Sequence, residues 1–517
     1  MFSHKYRGMK VNIIGAGVSG LTVGCYLQMC GFDTEIFEKQ SSAGGLCTSW
    51  KRGEYTFDGG LQWLLGSNSG SAFYQLWSEL LDMESIEFVS HESRFHTEVK
   101  NTVDKYGSPV FKLYTNLTQL EDYLLDIAPE DSKEIRKLIT FMRNIQKHEL
   151  PPNIKKVNSL LTFKEKMGMI KLLPLARLFM KWKNVTTLSF ARKLKNPFLK
   201  EAFSLLFDGE DLSLLVITVP LSSYDTKSAG YPIGGSLKFS QKFEEKYLKL
   251  GGKINFNGSV SKILIENNTT KGLILEDGSK HFSDITISAA DWNYTFFEAL
   301  EGKYTNKTIL SLRNQKKLKI YYSVFMVSLG LSRTFESHPH YFRFPLKSAI
   351  VSPDGTKYER MEVHIYNYDP TLAPEGKTVV SVSFYTTAGD YWIMLRNADK
   401  TSYDVLKNDF ANIIINALDE KLGDIKSYIE ERDITTPATY HRYTGNHGGS
   451  VQGWLPGKNL IASTPVKPDL AGLDNFYFTG HWSQAGGGLP IAIKSGRDVA
   501  QMICKKCKVP FTPESHS

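Results

Sequence analysis

The residues with the clearest chemical meaning lie near the N-terminus, in KVNIIGAGVSGLTVGCYLQMCGFDTEIFEKQ. Gly15, Gly17 and Gly20 form a G-x-G-x-x-G pattern, and an acid, Glu38, follows 23 positions beyond Gly15. Glycines at this spacing allow a tight turn, a close approach of backbone to a diphosphate, and close packing of a helix on a sheet, while the acid accepts hydrogen bonds from ribose hydroxyls. The pattern predicts dinucleotide binding, with the diphosphate at a helix N-terminus.

The flanking sequence supplies the elements that this pattern needs. Residues 11–14 predict a strand, a helical stretch follows the glycines and ends at Gly31, and a second strand ends at Glu38. This order predicts the start of a Rossmann-type α/β domain with a parallel sheet. The predicted cofactor-binding residues of this unit are Gly15, Gly17, Val18, Ser19, Gly20, Glu38 and Lys39.

Two glycine pairs follow, in SSAGGLCTSWKRGEYTFDGGLQWLLG. Here the sequence resembles the FAD-dependent amine-oxidase-like superfamily, and YTFDGGLQW is most similar to the branch of phytoene desaturases, carotenoid isomerases and retinol saturases. The resemblance implies FAD as the cofactor, with Gly44, Gly45, Gly59 and Gly60 extending the flavin cradle. An arginine often follows the first pair in that superfamily, and Leu46 stands there in this chain.

A stretch near the C-terminus, residues 475–493, carries no formal charge when its one histidine is neutral. Its length approaches that of a membrane span, but Gly480, three glycines at 486–488 and Pro490 disfavour a continuous helix. The preferred interpretation is a strand over 476–479, a glycine loop, and a helix from about 489 to 504.

The resemblance implies that this stretch is the last flavin-binding block. The strand ending at Gly480 is expected to reach the ribityl and diphosphate region. The loop at Gly488, Leu489, Pro490 and Ile491 is expected to approach the flavin ring, where a helix N-terminus stabilises negative charge on the reduced ring. Many members of the superfamily have an acid after the strand, whereas this chain has His481.

The middle of the chain contains GYPIGGSLKF, which predicts a helix from about Ser236, followed by a strand near 254–256 and a hairpin. In the superfamily that this chain resembles, the backbone of the residue that matches Val260 usually contacts the adenine end of FAD. The chain is therefore expected to return to the flavin domain here.

A chain of 517 residues is too long for a single hydrophobic core, so two or more compact domains are expected. The three blocks assign residues 1–66, 229–293 and 475–507 to a discontinuous FAD-binding domain. Residues 67–228 and 294–474 are assigned to an α+β substrate domain interleaved with it, and 508–517 to a flexible tail. The stretches KIYYSVFMVSLGLS and KTVVSVSFYTTA predict strands of a substrate-domain sheet.

The segment TTPATYHRYTGNHGGSVQGW concentrates polar and aromatic side chains just upstream of the last block. Arg442 and Tyr443 are the candidate catalytic residues, expected to orient a substrate or move a proton if the segment faces the flavin. The alternative is a polar turn whose groups are satisfied locally.

Charge is concentrated between Lys155 and Lys200, where twelve Lys or Arg accompany a single acid, Glu165, although the whole chain carries only +8. The segment also contains Leu, Ile, Met, Phe and Trp, as in elements that rest on anionic lipid. A peripheral membrane contact is the expectation, and a solvated helix pair is the alternative. Nucleic-acid binding is not expected, because no motif for it accompanies the charge.

Other classes of site are disfavoured. The histidines lack metal-ligand spacing, so no metal site is predicted. Five cysteines form no disulfide framework, and the N-terminus lacks an apolar signal region, so a cytoplasmic location is expected.

The resemblance implies an FAD-dependent oxidoreductase that desaturates, saturates or isomerises C=C bonds of an apolar polyene or isoprenoid. Flavin supplies hydride and single-electron chemistry, and oxygen, a quinone or a diffusible reductant remains open as the electron partner. A flavin amine oxidase is the alternative enzyme. A non-enzymatic escort of prenylated partners is less favoured, because those proteins tend to have lost the intact flavin cradle.

Overall fold

The computed structural model describes residues 8–148, 155–207, 210–314, 318–455 and 466–513. In chain order the strands are β1 Lys10–Ile14, β2 Asp33–Phe37, β3 Ser49–Arg52, β4 Tyr55–Asp58, β5 Leu64–Leu65, β6 Phe88–Val89, β7 Ser93–Glu98, β8 Val110–Tyr114, β9 Ala229–Pro232, β10 Lys253–Asn255, β11 Val260–Glu266, β12 Thr269–Leu275, β13 Lys280–Phe282, β14 Ile285–Ser288, β15 Ser323–Leu331, β16 Tyr341–Val351, β17 Lys357–Ile365, β18 Thr378–Thr386, β19 Ile429–Thr435 and β20 Phe476–Phe478. The helices are α1 Val18–Met29, α2 Ala72–Ser78, α3 Leu117–Ile127, α4 Ser132–Gln146, α5 Phe163–Gly168, α6 Leu173–Trp182, α7 Thr187–Ala191, α8 Pro197–Ser204, α9 Leu215–Asp225, α10 Gly235–Lys249, α11 Lys307–Arg313, α12 Gly389–Ala398, α13 Lys400–Leu422, α14 Pro437–Thr444 and α15 Gly488–Lys506.

A five-stranded parallel sheet carries the N-terminal glycine motif, with strand order β10-β2-β1-β14-β20. Its central strands place Ile13 opposite Ile36 on one side and Ile287 on the other, and all three side chains are fully buried. Burial on both faces explains why these short strands are apolar throughout, as parallel strands usually are. Helix α1 packs against both α10 and α15. The predicted Rossmann-type α/β fold is therefore confirmed.

The second large sheet has seven strands in the order β19-β15-β18-β17-β16-β7-β8. The two stretches predicted as substrate-domain strands are its neighbours β15 and β18, paired antiparallel from Ser323 opposite Thr386 to Leu331 opposite Thr378. Helices α12 and α13 cover one face, where the rings of Phe325 and Phe410 meet with centroids 4.7 Å apart. This is the α+β arrangement that the sequence predicted.

Helices α3, α4 and α6 to α9 form a separate layer with its own apolar core. The ring of Trp182 stacks on Phe141 at 4.4 Å, which fixes the end of α6 to α4. Pro174 is the second residue of α6, where its missing N–H removes no helical hydrogen bond, so it begins this helix rather than interrupting one. The basic segment is thus helical over much of its length.

Two domain boundaries differ from the sequence-based assignment. Helix α2 and the residues up to Ile86 pack into the core of the nucleotide-binding half, and the fully buried Trp77 contacts Phe239 and Phe243 of α10 edge to face. The first block therefore extends beyond residue 66, because the apolar face of α2 is buried against α10. Of the predicted flexible tail 508–517, Phe511 packs on Tyr26 with ring centroids 5.4 Å apart, and residues 514–517 lie outside the described part.

Within the described ranges, no helix combines the length and the apolar character needed to cross a bilayer. The charge-free C-terminal stretch forms β20, a glycine loop and the beginning of α15, as its glycines predicted.

Candidate flavin site

One cavity of about 2050 Å³ opens between the parallel sheet and the seven-stranded sheet. This volume is well above the 300–1,000 Å³ of common ligand pockets, so it has room for more than one small molecule. The predicted cofactor-binding residues on its wall are Gly15, Gly17, Val18, Ser19, Glu38, Lys39, Gly44, Gly45, Leu46, Gly59, Gly60, Val260, Gly480, His481, Gly488, Leu489 and Pro490. Gly20 and Ile491 are not part of the wall.

The first glycine motif combines an open backbone with a tight contact. A Cβ at Gly17 would meet no atom within 4 Å, so the cavity-facing side of this residue is open. A Cβ at Gly20 would lie 2.0 Å from the carbonyl oxygen of Gly15, so only glycine fits where α1 meets the turn. The N–H groups of Val18 and Ser19 have no acceptor among the described residues. This helix N-terminus is therefore available to an anion.

Glu38 stands at the end of β2 beside that N-terminus. One carboxylate oxygen accepts from the N–H of Ala16 at 2.8 Å and the other from the N–H of Gln40 at 2.9 Å. Burial raises the pKa of Glu38, and these two hydrogen bonds oppose the rise. The backbone therefore holds the carboxylate at the cavity wall with lone pairs left for ribose hydroxyls.

The first glycine pair lies directly against the first motif. The N–H of Gly44 donates to the carbonyl of Ala16 at 2.9 Å, and a Cβ at Gly45 would approach the Cα of Gly17 to 3.3 Å. Leu46, at the position where the resemblance implies an arginine, joins an apolar cluster with Met326 of β15. Leu46 thus packs against the substrate-domain sheet as well as lining the cavity.

Asp58 connects two of the three blocks and was not singled out in the sequence. Its buried carboxylate accepts from the N–H groups of Gly60 and Leu61, from the N–H and hydroxyl of Ser236, and from the hydroxyl of Ser49. Burial raises the pKa of Asp58, and the donors oppose the rise. The signal in the sequence was the acid next to the second glycine pair in YTFDGG, since a buried carboxylate needs donors of this kind.

The last block closes the cavity. The hydroxyl of Thr479 lies 2.9 Å from that of Ser19, and the hydroxyl of Ser495 accepts from the N–H of Gly480 at 3.0 Å, so β20, α1 and α15 are joined. A Cβ at Gly487 would meet the carbonyl oxygen of Gln452 at 1.9 Å, which explains the glycine before α15. No side chain caps α15, and its first residues, Gly488 to Pro490, lie on the cavity wall.

His481, which stands where the resemblance implies an acid, lines the cavity. Its Nε2 is buried and has no hydrogen-bond partner among the described residues. Burial lowers the pKa of His481 to about 4, so the imidazole is neutral at pH 7. His481 as a residue lines the cavity, so a rotation of its ring would bring this nitrogen to a polar group of a bound cofactor.

Val260 and Asp291 line the remaining side of the cavity. The carbonyl of Val260 accepts from the hydroxyl of Tyr294 at 2.7 Å. Asp291, which follows β14, accepts from the N–H groups of Asn293, Tyr294 and His447. Burial raises the pKa of Asp291 to about 7. Asp291 therefore connects the nucleotide-binding half to the backbone at His447.

Arg442 and Tyr443 lie on α14 at the outer part of the cavity. Both are exposed, Arg442 donates to the Tyr443 hydroxyl, and the guanidinium sits 4.4 Å from the centre of the Tyr443 ring. The carbonyl of Arg442 accepts from the side chain of Gln40, two residues past Glu38. These two side chains therefore lie near Glu38, the acid predicted to bind the ribose. Their catalytic role stays a prediction from the sequence.

The opposite wall carries a polar cluster that sequence reasoning missed. Gln62, Arg94, Glu362 and His364 meet there, although they come from one loop and two strands. No spacing rule connects residues so far apart in the chain. Tyrosines surround this cluster, and the described residues contain no group of His, Cys, Asp and Glu that could hold a metal ion.

The residues present fit FAD on three observations. The first glycine motif has open backbone facing the cavity, Glu38 is held beside it, and His481, whose Nε2 has no hydrogen-bond partner among the described residues, lines the same wall. Gly17, Val18 and Ser19 would hold the diphosphate, Glu38 the ribose, and the α15 N-terminus the flavin ring.

The comparisons with known proteins agree with this geometry. The family model for flavin containing amine oxidoreductases matches residues 18–504. The 4,4'-diaponeurosporene oxygenase of Staphylococcus haemolyticus is 23% identical over 97% of this chain and 98% of its own length. The 1-hydroxycarotenoid 3,4-desaturase of a Flavobacterium species is 25% identical over 96% of this chain and 99% of its own. A solved structure, an oxidoreductase from Methanosarcina mazei, superimposes with a TM-score of 0.57 at 18% identity, covering 95% of this chain and all of that one.

The family match spans nearly the whole chain and coincides with a cavity in which all three glycine-rich blocks meet. The chain therefore belongs to the flavin containing amine oxidoreductase family and is an FAD-dependent oxidoreductase.

Proposed function

We propose that the protein acts on carbon–carbon bonds of a polyene or a similar long, unsaturated, apolar substrate. The observation that carries this proposal is that one cavity joins the flavin cradle to a part lined by α9 and by side chains of the seven-stranded sheet, here called the second compartment. Part of its wall is the apolar run of α9, with Leu215, Val216, Val219 and Pro220. The names of the two relatives, an oxygenase and a desaturase of carotenoids, support a substrate of this class.

The tyrosines of the second compartment supply no phenolate base at neutral pH. Burial raises the pKa of Tyr321 and Tyr322 to about 12, and it raises the pKa of Tyr385 well above its ordinary value. These tyrosines stay protonated at pH 7. FAD supplies hydride and electron transfer when bound, and the compartment's contribution is to orient an apolar chain beside it.

Anaerobic reduction of the bound flavin tests the proposal. The purified holoprotein is mixed with a carotenoid precursor, a shorter conjugated polyene, and a primary amine, and the flavin absorbance is followed. Bleaching by polyenes alone is the expected result. Bleaching by the amine alone would favour the amine oxidase alternative, and a colourless preparation that takes up no FAD would favour an escort.

The amine alternative has less support from the cavity. Arg94 lines the second compartment, and a guanidinium repels a protonated amine.

We further propose that the basic segment between Lys155 and Lys200 docks on anionic membrane, from which an apolar substrate would enter. Five large apolar side chains of this segment are exposed by half or more: Phe163 (81%), Met167 (50%), Ile170 (52%), Leu173 (50%) and Met180 (54%). Basic residues lie among them, including Lys164, Lys166, Arg177 and Lys181. Such a surface combines burial in lipid with attraction to its negative charge.

The opposite side of the segment is anchored to the protein. Leu175 and Trp182 are buried, and the carbonyl of Lys155 accepts from the side chains of Arg497 and Gln501 of α15. Helix α8 begins within this segment and carries Glu201 on the cavity wall, so the proposed docking element is joined to the cavity by one helix.

Sedimentation with liposomes tests the docking. Wild type should bind vesicles that contain anionic lipid at low salt, and Phe163→Ser combined with Lys164→Glu and Lys166→Glu should lose most of that binding. Phe282→Ser is the matched control, because Phe282 is 65% exposed on β13 outside this segment. Equal binding by the triple variant and wild type would refute the proposal.

A further inference from the structure

The wall opposite the flavin cradle contains a polar cluster in which a single amide joins two strands. Gln62, two residues after the second glycine pair, accepts from Nη2 of Arg94 on β7 at 3.1 Å through its Oε1. Its Nε2 lies 3.2 Å from Nε2 of His364 on β17. Gln62 therefore ties the cluster to the flavin-binding loop and fixes which way the guanidinium points.

The charges in this cluster do not cancel. Glu362 and Arg343 form one opposed pair: burial raises the pKa of Glu362, but its contacts with His364 and the charge of Arg343 bring it below its ordinary value. Burial lowers the pKa of His364 despite the nearby Glu362, so this imidazole is neutral at pH 7. The charge of Glu362 also acts on Arg94, and the three groups Arg94, Arg343 and Glu362 together carry one net positive charge.

Arg94 also has no carboxylate bonded to it. No ion pair within the described ranges includes Arg94, and its one hydrogen-bond partner there is the neutral amide of Gln62. The rings of Tyr341 and Tyr224 flank the guanidinium, with centroids 5.3 and 5.8 Å from Cζ. A guanidinium has five N–H donors, so several of them have no partner at the cavity wall.

A half-buried cation with free donors, an excess charge and aromatic sides is a good site for one carboxylate. Arginine binds carboxylates with two parallel hydrogen bonds, and such bonds are strongest away from bulk water. Arg343 does not offer the same site, since its Nη1 and Nη2 donate to the carbonyl of Leu206 and the hydroxyl of Thr97.

We propose that Arg94, held by Gln62, binds a carboxylate at the end of the substrate chain. This inference rests on the proposed function for the apolar part of the substrate and narrows it to a polyene acid. The carboxylate pairs with the guanidinium while the unsaturated chain lies in the apolar part of the cavity. Arg94 is then a specificity-determining residue, because hydrocarbons and esters of the same length lack the charge that it binds.

Binding of a matched pair of probes tests this without catalysis. Parinaric acid, a linear conjugated polyene with a terminal carboxylate, and its methyl ester are titrated into the holoprotein at about pH 8, where a carboxylic acid is ionised. The fluorescence of the polyene reports binding. Wild type should bind the acid at least about tenfold more tightly than the ester, as expected for a charge-assisted hydrogen bond.

Variants assign the preference to Arg94. Arg94→Gln should weaken binding of the acid about tenfold or more and leave that of the ester unchanged, whereas Arg94→Lys should retain part of the preference. Arg52→Gln is the matched control: Arg52 also lines the cavity, but its guanidinium is paired with Asp433 at 2.8 Å. The FAD content of each variant should equal that of wild type.

Equal binding of acid and ester by wild type would overturn the inference, even if every variant misfolds. An acid preference that survives Arg94→Gln in a folded holoprotein would overturn it as well. The proposed function fails separately: an acid preference without flavin reduction by any polyene would remove the polyene activity and leave the carboxylate site, and turnover of hydrocarbon polyenes without an acid preference would do the reverse.

Discussion

The two walls of the cavity present different groups, mainly backbone on one wall and side chains on the other. On the nucleotide-binding wall, Gly17, Gly45 and Gly488 line the cavity, and the N-terminal residues of α1 and α15 lie beside them. On the opposite wall, side chains such as Arg94 and His364 come from strands β7 and β17. Backbone recognition depends on local chain geometry and leaves a readable motif, whereas side-chain recognition depends on which strands become neighbours.

The sharpest test of this contrast compares two glycines of one motif. Gly20→Ala should destabilise the fold by more than about 4 kcal/mol, because the new Cβ would lie 2.0 Å from a carbonyl oxygen of the backbone. Gly17→Ala should change the stability of the apoprotein by less than about 1 kcal/mol, since its Cβ meets no atom within 4 Å, and yet abolish tight FAD binding. Thermal melts of apoprotein and FAD titrations measure the two effects. Loss of folding in both variants would mean that Gly17 is structural too.

The connection between the blocks is tested at Asp58. Asp58→Ala should destabilise the protein by about 3–5 kcal/mol, because it leaves buried N–H and hydroxyl donors of the cradle without an acceptor. Asp126→Ala is the control, since that carboxylate is 47% exposed and pairs with Lys105 at the surface. Denaturant unfolding of both variants provides the comparison, and equal stabilities would show that Asp58 does not join the blocks.

The acid that follows β14 should make stability depend on pH. Burial raises the pKa of Asp291 to about 7 from an ordinary value of 3.8, so the native state holds its proton where the unfolded chain has lost it. The contribution of Asp291 to the free energy of unfolding is therefore fully present below about pH 4. It declines as the pH rises to about 7, by at most ~4 kcal/mol. Unfolding measured across this window should show a shallower decline for Asp291→Asn. An unchanged slope would place the pH dependence elsewhere.

His481 tests whether a side chain contributes to the backbone-built wall. His481→Phe keeps a ring but removes the orphaned Nε2, so FAD affinity should fall about three- to tenfold, the value of one hydrogen bond. Isothermal titration of apoprotein with FAD measures the change. Unaltered affinity would mean that Nε2 makes no contact with the cofactor.

The smallest effect is expected at the outer part of the cavity. Arg442→Gln and Tyr443→Phe should each change stability by less than about 0.5 kcal/mol and leave kcat unaltered, because both side chains are exposed and interact chiefly with each other. Turnover of a polyene by the holoprotein provides the measurement. A large fall in kcat would support the catalytic role predicted from their sequence context.

Prediction from the sequence succeeded where local geometry was sufficient. The G-x-G-x-x-G turn, the spaced Glu38 and the start of α15 follow from the conformations that glycine permits and from the period of apolar residues. The prediction was less complete at α2. This helix belongs to the nucleotide-binding half because Trp77 packs against α10, which lies far away in the chain. Packing of this kind has no local signal.

The sequence by itself determined the cofactor class and the elements that hold it, because a dinucleotide is bound by backbone whose geometry is encoded within a few residues. Only the tertiary structure decided that Asp58 joins two blocks, that His481 has an unsatisfied nitrogen, and that Arg94 keeps an excess charge in the second compartment. The reason is physical: burial and unpaired charge are properties of the neighbours brought together by the seven-stranded sheet, and those neighbours are separated in the chain by up to hundreds of residues.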